Sequence, residues 1–447
     1  MKRGFLFILP DPLMIHMEPS LIYIYRLFLE HPVISTDSRK IYPGSLFFAL
    51  KGESFNGNGF ASRALDQGAS YAIVDEAAFA LHDRFILVKD VLSTLQELAR
   101  HHRMQMNIPV IAVTGTNGKT TTKELIQSVL SATFRTLATE GNLNNHIGVP
   151  LTLLKMTSQT EIAVIEMGAN HRGEIDFLCR IAQPGYGIIT NIGRAHLEGF
   201  GGFAGVILTK TELYRFLNEV DGLAFLNGND ALLKENATGL RQAIYGNPPA
   251  DLETIAVKAD PMVSITLDFK NQKGVVIHSN LYGGYNSDNI SAAACIGQHF
   301  MVPTDLIKTA IENYRPTNNR SQVMQTAHNL LILDAYNANP SSMEAALMAF
   351  SMADYAGKTV ILGDMLELGP ESDAEHRHVI QILKGMQLEN VYLVGPCFTR
   401  INTIREFICF TDAALAMMWF QHHPIENATI LIKGSRGIKL ETVVECL

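Results

Sequence analysis

The sequence predicts an α/β protein of three domains, and three observations lead there. Its 447 residues give room for about three cores of ordinary size. Apolar strand-like runs alternate with helical patterns through most of the chain, which implies mostly parallel sheets flanked by helices. Glycine and polar residues follow directly on those runs: T-G-T-N-G-K at 114–119, E-M-G-A-N-H at 166–171 and N-I-G-R-A-H at 191–196. The pattern returns later as D-A-Y-N-A-N-P at 334–340, G-D-M-L-E-L-G at 363–369 and K-G-S-R at 433–436. In open parallel sheets ligands bind beyond the carboxyl ends of the strands, so two sheets facing each other across one cleft are expected.

The elements follow in order. The opening M-K-R-G-F-L-F-I-L-P-D mimics a signal peptide, but Pro10 and Asp11 cut its apolar run and no small-residue cleavage site follows. Residues 1–16 read as a loose extension, with Met17 a candidate start. The first region, 1–90, holds a helix over Leu21–Leu29 and strand-like pieces at Val33–Thr36, Ser45–Leu50 and Tyr71–Val74, a small α/β unit. The second, 91–315, begins with an amphipathic helix over Ser93–Met106. Strand runs at 109–113, 161–165, 186–190 and 222–226 then alternate with helices at 120–132, 174–181 and 203–217, and a helix over 288–300 closes it. The third, 316–447, repeats the alternation with strands at 330–333, 359–362, 391–394 and 428–432, a Rossmann-like α/β domain.

Composition excludes several classes. A net charge of −8 offers no basic face for nucleic acid. Five scattered cysteines, Cys179, Cys295, Cys397, Cys409 and Cys446, form no C-x-x-C pair and argue against a disulfide framework or zinc site. No apolar run is long enough to span a bilayer. The expectation is a soluble, cytoplasmic monomer without membrane insertion.

The chemistry centres on V-I-A-V-T-G-T-N-G-K-T-T-T, residues 110–122. An apolar strand enters a glycine turn, and Lys119 and Thr120 open a helix, the order that cradles a nucleotide triphosphate. The fit is a shortened G-x-x-G-K-T, since Val113 stands where the longer pattern has glycine. Backbone N–H groups from Gly115 to Thr121 would hold phosphates, Lys119 would reach the outer ones and Thr120 would ligate a magnesium ion. Glu166, ending a nearby strand, is a candidate for the same metal, against a solvated or capping glutamate. His196 alone reads as a hydrogen-bonded structural histidine, and Lys210 alone as a surface lysine on a helix.

Taken together, T-G-T-N-G-K-T-T-T, G-N-L-N-N-H-I-G-V-P, E-M-G-A-N, N-I-G-R-A-H-L-E-G-F and Y-N-S-D-N-I-S-A-A resemble the central domain of the Mur ligases. These ATP-dependent amide-bond-forming enzymes build the peptide stem of peptidoglycan. The likeness runs in order from about Ile34 to the end. It implies a uridine-nucleotide-binding first domain, a P-loop ATPase second domain and a third domain for the incoming substrate. D-A-Y-N-A-N-P-S-S-M, L-G-D-M-L-E-L-G and K-G-S-R are similar to the branch that adds D-Ala-D-Ala to UDP-N-acetylmuramoyl-tripeptide.

The resemblance implies roles. Lys119, His196 and Lys210 would be catalytic, with Glu166, His196, Thr120 and Lys210 around two Mg²⁺ ions. Lys210 would carry a CO₂-derived carbamate, which turns a repelling cation into an oxygen ligand. Gly115, Thr116, Asn117, Gly118 and Thr121 would join Lys119 and Thr120 on ATP, with Asn286 and Asn289 near the adenine and Arg320 and Asp334 from across the domain boundary. Ser38, Arg39, Lys51, Thr139, Asn142 and Asn145 would hold the UDP-sugar, although Asn56-Gly57-Asn58 departs from the family's D-G-H. Tyr336, Asn337, Asn339, Lys433, Ser435 and Arg436 would receive the dipeptide, the cationic pair taking its carboxylate.

Other readings are a folate-polyglutamate-type ligase, the third-residue-adding Mur ligase, a GTPase switch and a non-catalytic UDP-sugar binder. The uridine-type first domain opposes the first, and the missing D-N-P-R opposes the second. The absent N-K-x-D opposes the third, and the intact metal set the fourth.

Overall fold

Three sheets, each mainly parallel, organise residues 20–402 and 406–447, the part of the chain described by this computed structural model. The extension 1–16 and the candidate start Met17 lie outside the described residues. By compactness the chain falls into two units. One takes the chain up to Asn107 with His146–Ser158 and Ile181–Gln183, and the other takes Ile108–Asn145, Gln159–Arg180 and Pro184–Leu447.

In the first unit four short parallel strands lie in the order Ile34–Ser35, Leu46–Phe48, Tyr71–Val74, Phe85–Leu87. The helix Leu21–Glu30 starts where Ser20 accepts a hydrogen bond from the Tyr23 amide, satisfying one orphan donor of its first turn. The helix Ala61–Asp66 packs Ala61, Ala64 and Leu65 against Phe47, Ala72 and Val74.

The second unit holds a nine-stranded and a six-stranded sheet. In the former, strands run from Thr136–Ala138 through Ile162–Glu166, Val110–Thr114, Tyr186–Ile189, Leu223–Asn227 and Arg241–Gly246 to Leu252–Ala259, all pairing parallel. Val110–Thr114 and Ile162–Glu166 are buried at every position, as strands covered on both faces must be. The strands Met262–Asp268 and Val275–Tyr282 then add an antiparallel wing. M-V-S-I-T-L-D alternates buried with half-buried residues, the period of a sheet with one wet face.

The six-stranded sheet has the order Gln322–Gln325, Leu330–Asp334, Thr429–Lys433, Thr359–Gly363, Asn390–Val394, Ile408–Phe410, with only the first pair antiparallel. The expected strands and most helices are present, and the expected helix over 203–217 is two: Phe203–Lys210 and Glu212–Glu219. Thr209 and Thr211 donate their hydroxyls to the carbonyls of Gly205 and Ile207, four residues back, a bond that bends helices. The helix Thr304–Asn313 follows the one expected to close the second region. No helix among the described residues is long and apolar enough to cross a membrane.

Candidate active site

The turn after Val110–Thr114 is laced to the end of its neighbour Tyr186–Ile189. The Thr190 hydroxyl donates to the Asn117 carbonyl at 2.6 Å, and Asn191 both accepts from the Asn117 amide and donates to its carbonyl at 3.0 Å. The Gly193 amide donates to the Thr116 hydroxyl at 2.9 Å. These bonds hold the loop open as a backbone cradle and leave Gly118 as the left-handed entry to the helix Lys119–Ser131. Gly115 has φ +140°, and a Cβ there would lie 2.0 Å from the Thr190 hydroxyl. Gly115→Ala is therefore expected to cost about 2–3 kcal/mol, read by thermal unfolding, and to abolish saturable ADP binding in calorimetry.

Lys119 donates to the carbonyls of Gly115 and Thr116 at 2.9 and 3.0 Å. Burial pushes its ammonium down to about 8, with Glu166 pulling back up and Arg320 pushing down. Thr120 and Thr121 are buried in the first helical turn. Asn289 accepts from the Thr122 hydroxyl at 2.9 Å and donates to Asn286, which donates to the Tyr282 carbonyl. Both asparagines are buried and brace the cradle, and a Cβ on Gly118 would lie 2.7 Å from Oδ1 of Asn289.

Glu166 ends its strand fully buried, with Oε1 accepting from Asn144 at 2.8 Å and its amide bonded to the Thr139 hydroxyl at 2.9 Å. Its Oε2 is buried without any hydrogen-bond partner. An ionised oxygen in that state is costly unless a cation meets it, so the donor set fits a magnesium ion. Lys210, read alone as a surface lysine, is only 2 % exposed. Its Nζ lies 5.3 Å from the centre of the Phe200 ring, which stands perpendicular to the His196 ring at 6.2 Å between centres. Desolvation first, and then the Lys119 charge, lower Lys210 to about 7, with Glu174 and Glu212 opposing. His196 sits in left-handed backbone, φ +49°, and its Nδ1 meets a carboxylate oxygen of Glu367 at 2.5 Å.

The third sheet brings its strand-end loops to the same loops. Asn339 caps the helix Pro340–Met352 and donates to the Asn117 side chain at 2.8 Å. Arg320 lies 3.7 Å above the Tyr336 ring, its Nε buried and without a partner. The expected cationic pair is split. Lys433 is buried and bound to Asp334 at 2.5 Å, whereas Arg436 is exposed and reaches toward the Tyr336 hydroxyl at 3.5 Å. Ser435 joins two loops, donating to the Ala338 carbonyl and accepting from the Leu366 amide, while Asn337 accepts from the Ala338 amide.

The UDP-sugar candidates divide between the units. Arg39 forms a two-pronged pair with Asp37, Ser38 occupies the same turn, and Lys51 binds Asp75 and Glu76. Asn56 and Asn58, at the departure from the family pattern, bond Glu76 and Asp75. Gly57 between them admits no side chain, since a Cβ would lie 2.2 Å from the Leu50 carbonyl. In the other unit Asn142 and Asn145 are exposed and Thr139 supports Glu166. Sequence reasoning missed Asn144, Asn191 and Glu367. All three lay inside quoted motifs whose strand-end position was the available signal.

These features, a P-loop ATPase sheet followed by a Rossmann-like sheet and preceded by a small α/β domain, belong to a known class. Family models described as "Mur ligase family, catalytic domain", "Mur ligase middle domain" and "Mur ligase, glutamate ligase domain" match residues 32–103, 113–297 and 319–436. The chain belongs to the Mur ligase family, ATP-dependent ligases with a three-domain α/β fold. It is 36 % identical to UDP-N-acetylmuramoyl-tripeptide–D-alanyl-D-alanine ligase of Escherichia coli, over 93 % of each chain. Its fold matches MurF from Acinetobacter baumannii with a TM-score of 0.83, 32 % identity and 92 % of each chain covered. MurF ligase from Thermotoga maritima in complex with ADP matches with the same TM-score, 27 % identity, and 94 % and 97 % covered.

Proposed function

We propose that this chain joins D-Ala-D-Ala to UDP-N-acetylmuramoyl-tripeptide at the expense of ATP, releasing ADP and phosphate, for peptidoglycan precursor synthesis. The observation that carries the reading is the cluster of P-loop, orphaned Glu166 oxygen and buried Lys210, in a chain whose relatives over nine-tenths of its length bear that activity's name. The reading includes a cytoplasmic monomer, supported by five free cysteines as far as the compartment goes. It also includes domain boundaries at 1–90, 91–315 and 316–447, supported by three separate sheets.

Gly115–Thr121 would hold the phosphates of ATP, and Thr120, Glu166, His196 and carbamylated Lys210 would hold magnesium. The metal supplies positive charge to phosphoryl oxygens. An amine with a pKa near 7 is about half neutral at neutral pH and can attack CO₂, which supports the carbamate. The terminal carboxylate of the tripeptide takes the γ-phosphoryl group, forming a C–O–P bond as the β–γ bridge breaks. The dipeptide amine then attacks that acyl carbon and phosphate departs. Lys119 offsets the negative charge that gathers on the transferred group. Arg436, exposed beside Tyr336, suits the free carboxylate of the dipeptide better than Lys433, which Asp334 neutralises. Arg39, Ser38, Lys51, Asn142 and Asn145 are the UDP-sugar candidates, with Thr139 acting through Glu166. No side chain is assigned as general base.

Phosphate release with Mg²⁺-ATP is expected to require both UDP-muramyl-tripeptide and D-Ala-D-Ala, with a mass gain of one dipeptide. Release that responds to a single diamino acid instead would make the chain a third-residue-adding ligase. Tight UDP-sugar binding without turnover would leave a binding module.

A further inference from the structure

His196 is held from the opposite domain. The loop bearing it, 191–196, is gripped at three points by side chains from the helices and a loop that flank the C-terminal sheet. The Arg194 amide donates to the Ser341 hydroxyl at 3.0 Å, the Arg194 guanidinium meets Glu375 at 3.0 Å, and His196 Nδ1 meets Glu367 at 2.5 Å. The Glu367 side chain is exposed, but the backbone that carries it is fixed. It follows three anchored residues: Asp364 accepts from the amides of Cys397 and Phe398, the Met365 amide donates to His376 Nε2, and the Leu366 amide donates to Ser435. Met365 and Leu368 are buried on either side of it. Glu367 itself has φ +63°, so both partners of this contact occupy left-handed backbone. Such conformations cost about 1–3 kcal/mol each and persist where the surroundings impose them.

The geometry points to Glu367 as the positioning residue of the metal-ligating histidine. An ionised carboxylate only accepts, so Nδ1 of the neutral ring must carry the proton and Nε2 keeps the lone pair that a metal needs. The ligand is thereby set by a residue 171 positions along the chain, in another domain. The metal site is complete only when the C-terminal sheet is seated on the 191–196 loop. Phosphoryl transfer is thus coupled to the presence of the domain that carries the dipeptide candidates. The inference rests on the reading of His196 as a metal ligand.

The test uses the full chain, labelled with ¹⁵N-histidine, and Mn²⁺ binding with ADP read by electron paramagnetic resonance. The His196 signal is identified by its loss in His196→Gln. The native protein is expected to show the Nδ1–H tautomer. Glu367→Ala is expected to move the proton to Nε2 and weaken Mn²⁺ by about 10–100-fold, with unchanged thermal unfolding. Glu367→Gln, whose amide oxygen still accepts, is expected to restore the tautomer and most of the affinity. Glu375→Gln, which breaks the neighbouring bridge alone, is expected to leave the tautomer native. A native tautomer in Glu367→Ala overturns the inference whatever the metal does. Unchanged Mn²⁺ affinity in His196→Ala instead overturns the ligand reading on which it rests, so the two failures are separable.

Discussion

Replacing Lys119 with methionine is expected to lower ATP-dependent phosphate release on the order of 10²–10³-fold while the protein stays folded. The stem of methionine fills the space of the lysine, so the loss is of charge and hydrogen bonds. The ammonium holds the carbonyls of Gly115 and Thr116 and is the only cation placed by the P-loop itself. Charge-assisted bonds of that kind contribute about 1.5–3 kcal/mol, so ADP binding should weaken about 10–100-fold in calorimetry, less than turnover falls. Arginine should not rescue, because its planar fork cannot occupy a niche cut for a point charge. The sign of the pH effect follows from the same site. Burial holds Lys119 at about 8, so the free protein loses this cation as pH rises through that value. kcat/KM is expected to fall above about pH 8, and Lys119→Met should lack that limb. Equal turnover in native protein and variant would remove Lys119 from the chemistry.

How much of this was legible in the sequence depends on how far each interaction reaches along the chain. Val110–Thr114 and Lys119–Ser131 could be read because a buried five-residue run, a glycine turn and a helix start are all local. Asn286 and Asn289 stand three residues apart, one helical face, so their pairing was implicit in the spacing. The antiparallel wing was legible in principle, since M-V-S-I-T-L-D carries the two-residue period, but it was not read. Lys210 defeated local reasoning altogether. Its helix is apolar on several sides, the Phe200 ring lies beside its Nζ, and the Lys119 charge that acts on it comes from far along the chain. Glu367 is the same case in sharper form: nothing near it in the chain announces His196. The split of Lys433 from Arg436 was hidden too, because Asp334 reaches Lys433 across two adjacent parallel strands.

Lys210→Met is expected to remove turnover, on the order of 10²–10³-fold, and yet to make the protein more stable. The two effects share one cause. A lysine taken out of water beside Phe200 and repelled by the Lys119 charge is driven from 10.5 to about 7. The unfolded chain binds a proton there that the folded chain gives up, so stability rises with pH across this window. The penalty is full below about pH 7 and fades as pH climbs toward 10.5. Methionine has no proton to lose and fits the same space, so the variant should gain about 2–5 kcal/mol near neutrality. That gain should appear as a higher unfolding temperature in CO₂-depleted, metal-free buffer and shrink as pH approaches 10. The same low value leaves the amine free to take up CO₂ at neutral pH, so native activity should rise with added bicarbonate and fall below about pH 7 as the ammonium returns. Lys210→Met should show neither response. A variant that is inactive but no more stable would mean that burial is not what lowers this lysine. One that is stabilised and fully active would mean that the buried nitrogen has no part in holding the metal.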